Sequence, residues 1–185
     1  AYRDSYLEAC GIGAATARAG NVIGGGDWGA DRLIPDILRA MDAGEVMPVR
    51  YPNAVRPWQH VLEPLSGYLA LARRLYEEGA SFAGAWNFGP YQEDARNVQW
   101  IVNHLAGLSM GFKWACDPSF QPHEAGCLKL DSGKARRLLG WSPRWDLEQA
   151  LDRVLSWHEA WRGGKSVREE SLRQIAEYGK SRERM

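Results

Sequence analysis

Apolar positions recur at two periods along this chain, and the elements they predict alternate. Ala14 to Ala19 is a short run of small residues, read as a buried strand. Leu33 to Asp42 carries apolar residues at helical spacing, with Pro35 tolerated in the first turn. Leu65, Leu69, Ala72 and Tyr76 fall at i, i+4, i+7 and i+11, which predicts an amphipathic helix facing the core along that stripe. Ala85 to Phe88 reads as a strand stopped by Gly89-Pro90, Val98 to Leu105 as a helix, and Pro48 to Tyr51, Phe112 to Cys116 and Cys127 to Leu130 as short strands.

The last third is helical and well punctuated. Asp131-Ser132 can cap a helix ending at Leu139 with Gly140 beyond it. Asp146 with Gln149, and Ser166 with Glu169, have the spacing of capping boxes. Leu147, Leu151, Val154, Leu155 and Trp161 are the expected buried face of the helix between them, and Ser181 to Met185 is expected to fray. Ala1 to Cys10 reads as the end of a helix, broken at Gly11 and Gly13. Strands and helices in alternation indicate an α/β fold.

Composition narrows the classes. The 185 residues hold 23 Lys and Arg against 23 Asp and Glu, and zero net charge argues against a nucleic-acid or membrane-surface protein. Three cysteines without a C-x-x-C pair are expected to be buried free thiols in a reducing, cytoplasmic compartment. The four histidines make no zinc pattern, and no apolar run is long enough to span a bilayer.

Candidate chemistry gathers in two strings. Gly24-Gly25-Gly26 follows an apolar run, and serial glycines often mark a backbone that comes close to a phosphate. Yet no dinucleotide-binding glycine fingerprint is present. Asn21, at the end of the run, either donates to a phosphate oxygen or makes an Asx turn. Arg56 in Val55-Arg-Pro-Trp-Gln-His-Val61 presents a fork suited to phosphate oxygens, or else stacks on Trp58. Arg32 either caps the following helix or reaches an anion. His60 reads as a structural residue or a base, Asn87 as a ligand contact or a turn former, and His123 as a residue that reaches a ligand or simply precedes a strand. Lys134, Arg136 and Arg137 read as a solvated basic face. These residues point to an anionic ligand held by Asn21 and Arg56 without identifying it.

The strings Arg18-Ala-Gly-Asn-Val-Ile-Gly-Gly-Gly-Asp-Trp28, Asp31-Arg-Leu-Ile-Pro-Asp36, Val55-Arg-Pro-Trp-Gln-His-Val-Leu-Glu-Pro64, Trp86-Asn-Phe-Gly-Pro90 and Pro122-His-Glu-Ala125 together resemble the CDP-glucose 4,6-dehydratase family. This is a group of extended short-chain dehydrogenase/reductases that dehydrate a nucleotide sugar with tightly bound NAD. The resemblance implies the last strands of a Rossmann-type parallel sheet plus a smaller substrate-binding lobe. Residues 1–30 would end the Rossmann-type domain, and 31–185 would be mostly substrate lobe, with a return strand near 85–88. It implies that Asn21 touches the sugar-nucleotide diphosphate, that Arg56 clamps it, and that Arg32, Leu33, Val49 and Tyr51 lie against nucleoside and phosphate. Asn87 and His123 would line the same cleft, and Ala19 and Gly20 would lie beside the nicotinamide.

The family also carries an NAD glycine motif, an acid/base pair and a Tyr-x-x-x-Lys pair, and none occurs in this sequence. The chain is therefore expected to correspond to the C-terminal portion of such an enzyme, to be inactive alone, and to associate with a copy of itself or with the missing half. The implied product, a CDP-4-keto-6-deoxy sugar, would feed bacterial surface polysaccharide. A dehydratase or epimerase for another nucleotide sugar, or a non-catalytic nucleotide-sugar-binding remnant, are the alternatives.

Overall fold

Every strand among the described residues pairs with one far away in the sequence. The structure is a computed structural model describing residues 3–109, 112–117, 119 and 126–181. A π-helical turn (Arg3–Leu7) and a 3-10 turn (Glu8–Cys10) precede β1 (Ala15–Ala19) and β2 (Asn21–Ile23). Then come α1 (Leu33–Ala43), β3 (Val46–Val49), β4 (Val55–Arg56), β5 (Trp58–His60), α2 (Leu62–Glu78), β6 (Gly84–Phe88), β7 (Arg96–Asn97) and α3 (Val98–Leu108). The last elements are β8 (Lys113–Cys116), α4 (Gly133–Leu139), α5 (Leu147–Arg162) and α6 (Val167–Lys180).

β1 runs parallel to β6, β2 to β5 and β3 to β8, while β4 and β7 pair antiparallel. Parallel partners need a crossover, and helices supply it. The result is the α/β architecture expected, in which short parallel pairs carry helices.

Two apolar cores hold these pieces. Ile37 of α1, Ile101 and Val102 of α3, and Leu151 and Val154 of α5 centre the larger one. Leu71, Phe82, Trp86, Phe88, Ala135 and Trp141 form the smaller, between α2, β6 and α4. Gly67 is required there: a Cβ on it would lie 2.2 Å from the Phe88 ring. Beside this core the buried Glu63 carboxylate accepts hydrogen bonds from the Arg144 and Trp145 backbone N–H groups and from the Tyr178 hydroxyl, the last two at 2.8 Å. One acidic side chain thus ties α2 to the start of α5 and the end of α6. Burial raises the Glu63 pKa, against the opposing pull of the Trp145, Tyr178 and Arg144 hydrogen bonds.

Helix limits follow the sequence signals closely. Asp146 and Gln149 form a full capping box, Ser166 accepts from the Glu169 N–H, and Gly140 sits left-handed after α4. Ser132 does not cap α4; its hydroxyl accepts from the Gly89 N–H instead. The third strand spans Val46–Val49 rather than 48–51, and at 127–130 only Cys127 bridges to Val55.

Several burial expectations are reversed. β1 is a strand, but Thr16, Ala17 and Arg18 are exposed, because β6 is its one strand partner among the described residues. α2 is a helix, yet the stripe of Leu65, Leu69, Ala72 and Tyr76 faces outward, with Tyr76 93% exposed; Glu63, Pro64, Gly67 and Leu71 are its buried side. Cys10, Cys116 and Cys127 are exposed free thiols, not buried ones, since each lies at an element end or an edge. Trp161 is half-exposed and packs on Trp28. Lys134 and Arg136 are not simply solvated: they lie over the rings of Trp86 and Tyr91. No described helix is long and apolar enough to cross a membrane. The residues 182–185 expected to fray lie outside the described part.

Candidate functional site

The chain steps from β1 to β2 at Gly20, where a Cβ would lie 2.3 Å from the Pro57 carbonyl oxygen. Glycine at this step lets β2 close on the Val55-to-His60 segment, and the Asn21 N–H donates to that same carbonyl at 2.8 Å. Asn21 and Trp58 become register partners as a result. The two strings that the sequence singled out are therefore brought side by side.

They share one cavity of about 580 Å³, within the size range of ligand sites. Of the residues expected at the site, Gly20, Asn21, Arg32, Leu33, Val49, Tyr51 and Arg56 all line it. Ala19 ends β1 one residue before the lining begins. Asn87 does not line the cavity: it pairs with Arg18 across β1 and β6, and its side-chain amide donates to the Asp131 carbonyl. His123 lies outside the described residues. Asp27, Met47, Ala54, Val98 and Trp58 also line the wall, beyond the residues expected there. Trp58 could have been found from its place in the same string as Arg56.

The polar groups of the cavity are unequal. Arg56 is only 5% exposed and donates from Nη1 to the Val55 carbonyl at 2.8 Å, so it is a buried cation fixed on a strand. Trp58 is buried too, and its indole N–H has no hydrogen-bond partner among the described residues. A stranded buried donor costs about 1–3 kcal/mol. Arg32 lies at the exposed mouth and pairs with Asp27 at 3.2 Å. An exposed pair of this kind is worth under about 1 kcal/mol, so Arg32 can exchange Asp27 for an incoming anion. Arg32 does not cap α1 with its side chain. Asp31 turns the chain into α1 with φ 58, a left-handed conformation that aspartate tolerates.

His60 ends β5, and it is not part of the wall. Burial first, and the charge of Arg153 second, hold its pKa down at about 4. It is neutral near pH 7, with Nδ1 accepting from the Leu62 N–H. That makes it a structural residue.

The glycine loop does not fit the role of a dinucleotide-phosphate cradle. The space beside Gly20 is filled by Pro57. A Cβ on Gly24 would meet Val61 at 2.9 Å, and one on Gly25 would meet the Trp157 ring at 2.1 Å. The serial glycines are thus consumed by packing and form no phosphate cradle, contrary to the first expectation for them. The cationic and amide side chains along the cavity are those of Arg32, Arg50, Arg56 and Asn21.

No family model matches the chain. Among curated proteins, the CDP-glucose 4,6-dehydratase of Salmonella typhimurium is 50% identical over 184 residues, which is 96% of this chain and 51% of that enzyme. The chain spans about half the length of the curated relative it matches. Among solved structures, the UDP-glucose-4-epimerase of Stenotrophomonas maltophila, with bound NAD and a formylated UDP-arabinopyranose, has a TM-score of 0.74 at 19% identity over 87% of this chain and 52% of its own. The UDP-glucuronic acid 4-epimerase of Bacillus cereus, in complex with UDP-glucuronic acid and NAD, scores 0.71 at 17% identity over 86% and 48%. The dTDP-glucose 4,6-dehydratase of Bacillus anthracis, in complex with NAD, scores 0.63 at 17% identity over 85% and 47%. Identities this low speak to the fold alone. Taken with the 50% identity, they make the chain a relative of CDP-glucose 4,6-dehydratase that carries about half of an extended short-chain dehydrogenase/reductase fold.

Proposed function

We propose that this chain supplies the nucleotide-sugar-binding portion of a CDP-glucose 4,6-dehydratase, a lyase that converts CDP-glucose to CDP-4-keto-6-deoxyglucose and water. The observation that carries the reading is one cavity lined by buried Arg56, buried Trp58 and Asn21. In it Arg56 holds the diphosphate as a bidentate partner, Asn21 and Arg32 add donors, and Leu33, Val49 and Tyr51 cover the nucleoside. Residues 1–30 and the 84–88 strand are the edge of the Rossmann-type sheet, and most of the remainder is the substrate lobe.

The 4,6-dehydration uses NAD to take up a hydride at C4 and return it at C6. The residues present here do not cradle that cofactor, so its binding groups and the proton-transferring groups come from outside this chain. Ala19 and Gly20 border it. The open edge of β1 fits this role, since a strand with one free edge accepts a parallel neighbour. A complementary half or a second copy supplies that neighbour.

The test is a calorimetric titration with CDP-glucose and dTDP-glucose, run on the chain alone and after mixing with the remaining half of the Salmonella relative. Selective uptake of CDP-glucose supports the reading, and turnover is expected only in the mixture. A preference for dTDP-glucose selects a dehydratase or epimerase for another nucleotide sugar. Binding without turnover even in the mixture selects a non-catalytic remnant. Silence in both settings overturns the proposal.

A further inference from the structure

The glycine loop is gripped from behind, by a helix that takes no part in the cavity wall. Gly25 lies flat against the indole of Trp157 on α5, with its would-be Cβ 2.1 Å from Cγ and 2.3 Å from Cδ2. Gly26, at φ 77, continues over the same ring. Any side chain at Gly25 would displace the indole or the loop. The glycines are therefore shaped to Trp157, and Trp157 is itself pinned. Its Nε1 donates to the Ser171 hydroxyl at 2.9 Å, and Ser171 donates back to the Val167 carbonyl of α6 at 2.8 Å.

The far side of the loop is clamped as well. Trp28 lies 4.6 Å, centroid to centroid, from Trp161 and 6.4 Å from Trp157. Arg39 of α1 donates to the carbonyls of Trp28 and Gly29. Between these clamps sits Asp27, which accepts from the Gly29 N–H at 3.0 Å and pairs with Arg32 at the cavity mouth. Gly24 and Asp27 line the cavity while Gly25 and Gly26 face the indole. A shift of the loop off the indole moves Gly24 and Asp27, and with them part of the cavity wall.

We propose that Trp157, held by Ser171, is a positioning residue for the ligand cavity: it sets the glycine loop, and with it Gly24 and Asp27 of the cavity wall, without touching the ligand. This rests on the reading of the cavity as a nucleotide-sugar site, but its structural half can be tested without ligand. The helical hairpin of α5 and α6 then acts as an external frame for the site. Ligand affinity depends on residues more than a hundred positions along the chain from the loop they control.

The experiment is amide hydrogen exchange of residues 24–29 and of the β1–β6 ladder, with CDP-glucose titration, in the wild-type chain, Trp157→Leu, Trp157→Phe and Ser171→Ala. Exchange in the loop is expected to speed up about tenfold in Trp157→Leu and about threefold in Ser171→Ala, with the β1–β6 amides unchanged. CDP-glucose affinity is expected to fall about five- to tenfold in Trp157→Leu, with Trp157→Phe restoring most of both. Should Trp157→Leu unfold the chain, Ser171→Ala decides, since it removes only the two hydrogen bonds of one half-buried hydroxyl. Loop exchange that does not change, or that rises equally in the β1–β6 ladder, overturns the positioning role. Loop exchange that responds while no form, wild type included, takes up CDP-glucose overturns the functional reading and leaves the loop clamp standing.

Discussion

Replacing Glu63 gives a direct measure of how the fold is tied together. Its carboxylate is fully buried and serves three donors, two backbone N–H groups and the Tyr178 hydroxyl. Glu63→Leu strands the two N–H groups, while the Tyr178 hydroxyl keeps the Ser66 hydroxyl at 2.9 Å. At about 1–3 kcal/mol for each stranded donor, partly offset because an ionisable group no longer has to be buried, the loss is expected to be about 3–5 kcal/mol. For a chain of this size that is a fall in melting temperature of about 10 °C. Glu63→Gln keeps an acceptor for the two N–H groups and is expected to lose only about 1 kcal/mol.

The pH dependence carries the sharper test. Burial raises the Glu63 pKa from its ordinary value of about 4.5, so the folded state binds more protons than the unfolded state just above that value. Stability from this group is therefore full below about pH 4.5 and declines as pH rises through the raised pKa. Glu63→Gln has no such decline, so its deficit against wild type should shrink as pH rises above about 4.5. Urea unfolding of the three proteins at several pH values measures this. A Leu variant as stable as the Gln variant, or a Gln deficit that widens as pH rises, would refute the reasoning. The second result would mean that the three donors hold the carboxyl ionised more strongly than burial opposes it.

Other outcomes follow from neighbouring residues. His60, with its pKa lowered to about 4, contributes stability above about pH 6.5 that is lost as pH falls toward 4. His60→Gln should flatten that acid limb by about 3 kcal/mol in urea unfolding, from the 1.36 kcal/mol per pH unit of linkage. Gly67→Ala puts a methyl into the Phe88 ring and is expected to lower stability by about 2 kcal/mol, although alanine favours helix, as read by the urea midpoint. Arg56→Lys should weaken CDP-glucose binding about tenfold or more in calorimetry, because a point charge cannot make the bidentate contact. Leu69→Glu on the outward stripe of α2 should change stability by less than about 0.5 kcal/mol in urea unfolding, since Leu69 is 73% exposed.

What the sequence made legible was local. Caps and breakers placed α1, α4, α5 and α6 to within a residue or two, because Asp146, Ser166 and Gly140 act on their own turns. The strings around Asn21 and Arg56 were also visible, and the structure brings them to one cavity. What failed was the direction in which elements face. The stripe on α2 obeys helical spacing perfectly well, yet the core takes the opposite side, where Gly67 and Pro64 allow close approach and Glu63 finds its donors. Periodicity shows that a helix has an apolar side; it does not show which side meets the rest of this chain. The role of the serial glycines was missed for a similar reason. Their partner, Trp157, lies far along the chain, and no local pattern links them.

The long-range parallel pairing of β1 and β6 has a consequence for how the protein is made. Ala15 pairs with Gly84, and Ala19 with Phe88, so β1 leaves the ribosome with its partner still unsynthesised. At about 5–20 residues per second, the roughly seventy residues between them take several seconds to appear. Throughout that interval an alanine-rich strand with free hydrogen-bonding groups on both edges must stay unpaired, and contacts of this separation are the slow ones in folding. Synthesis rate and chaperone capacity will therefore govern the yield of this chain, whereas the network around Glu63 governs how long the folded product lasts.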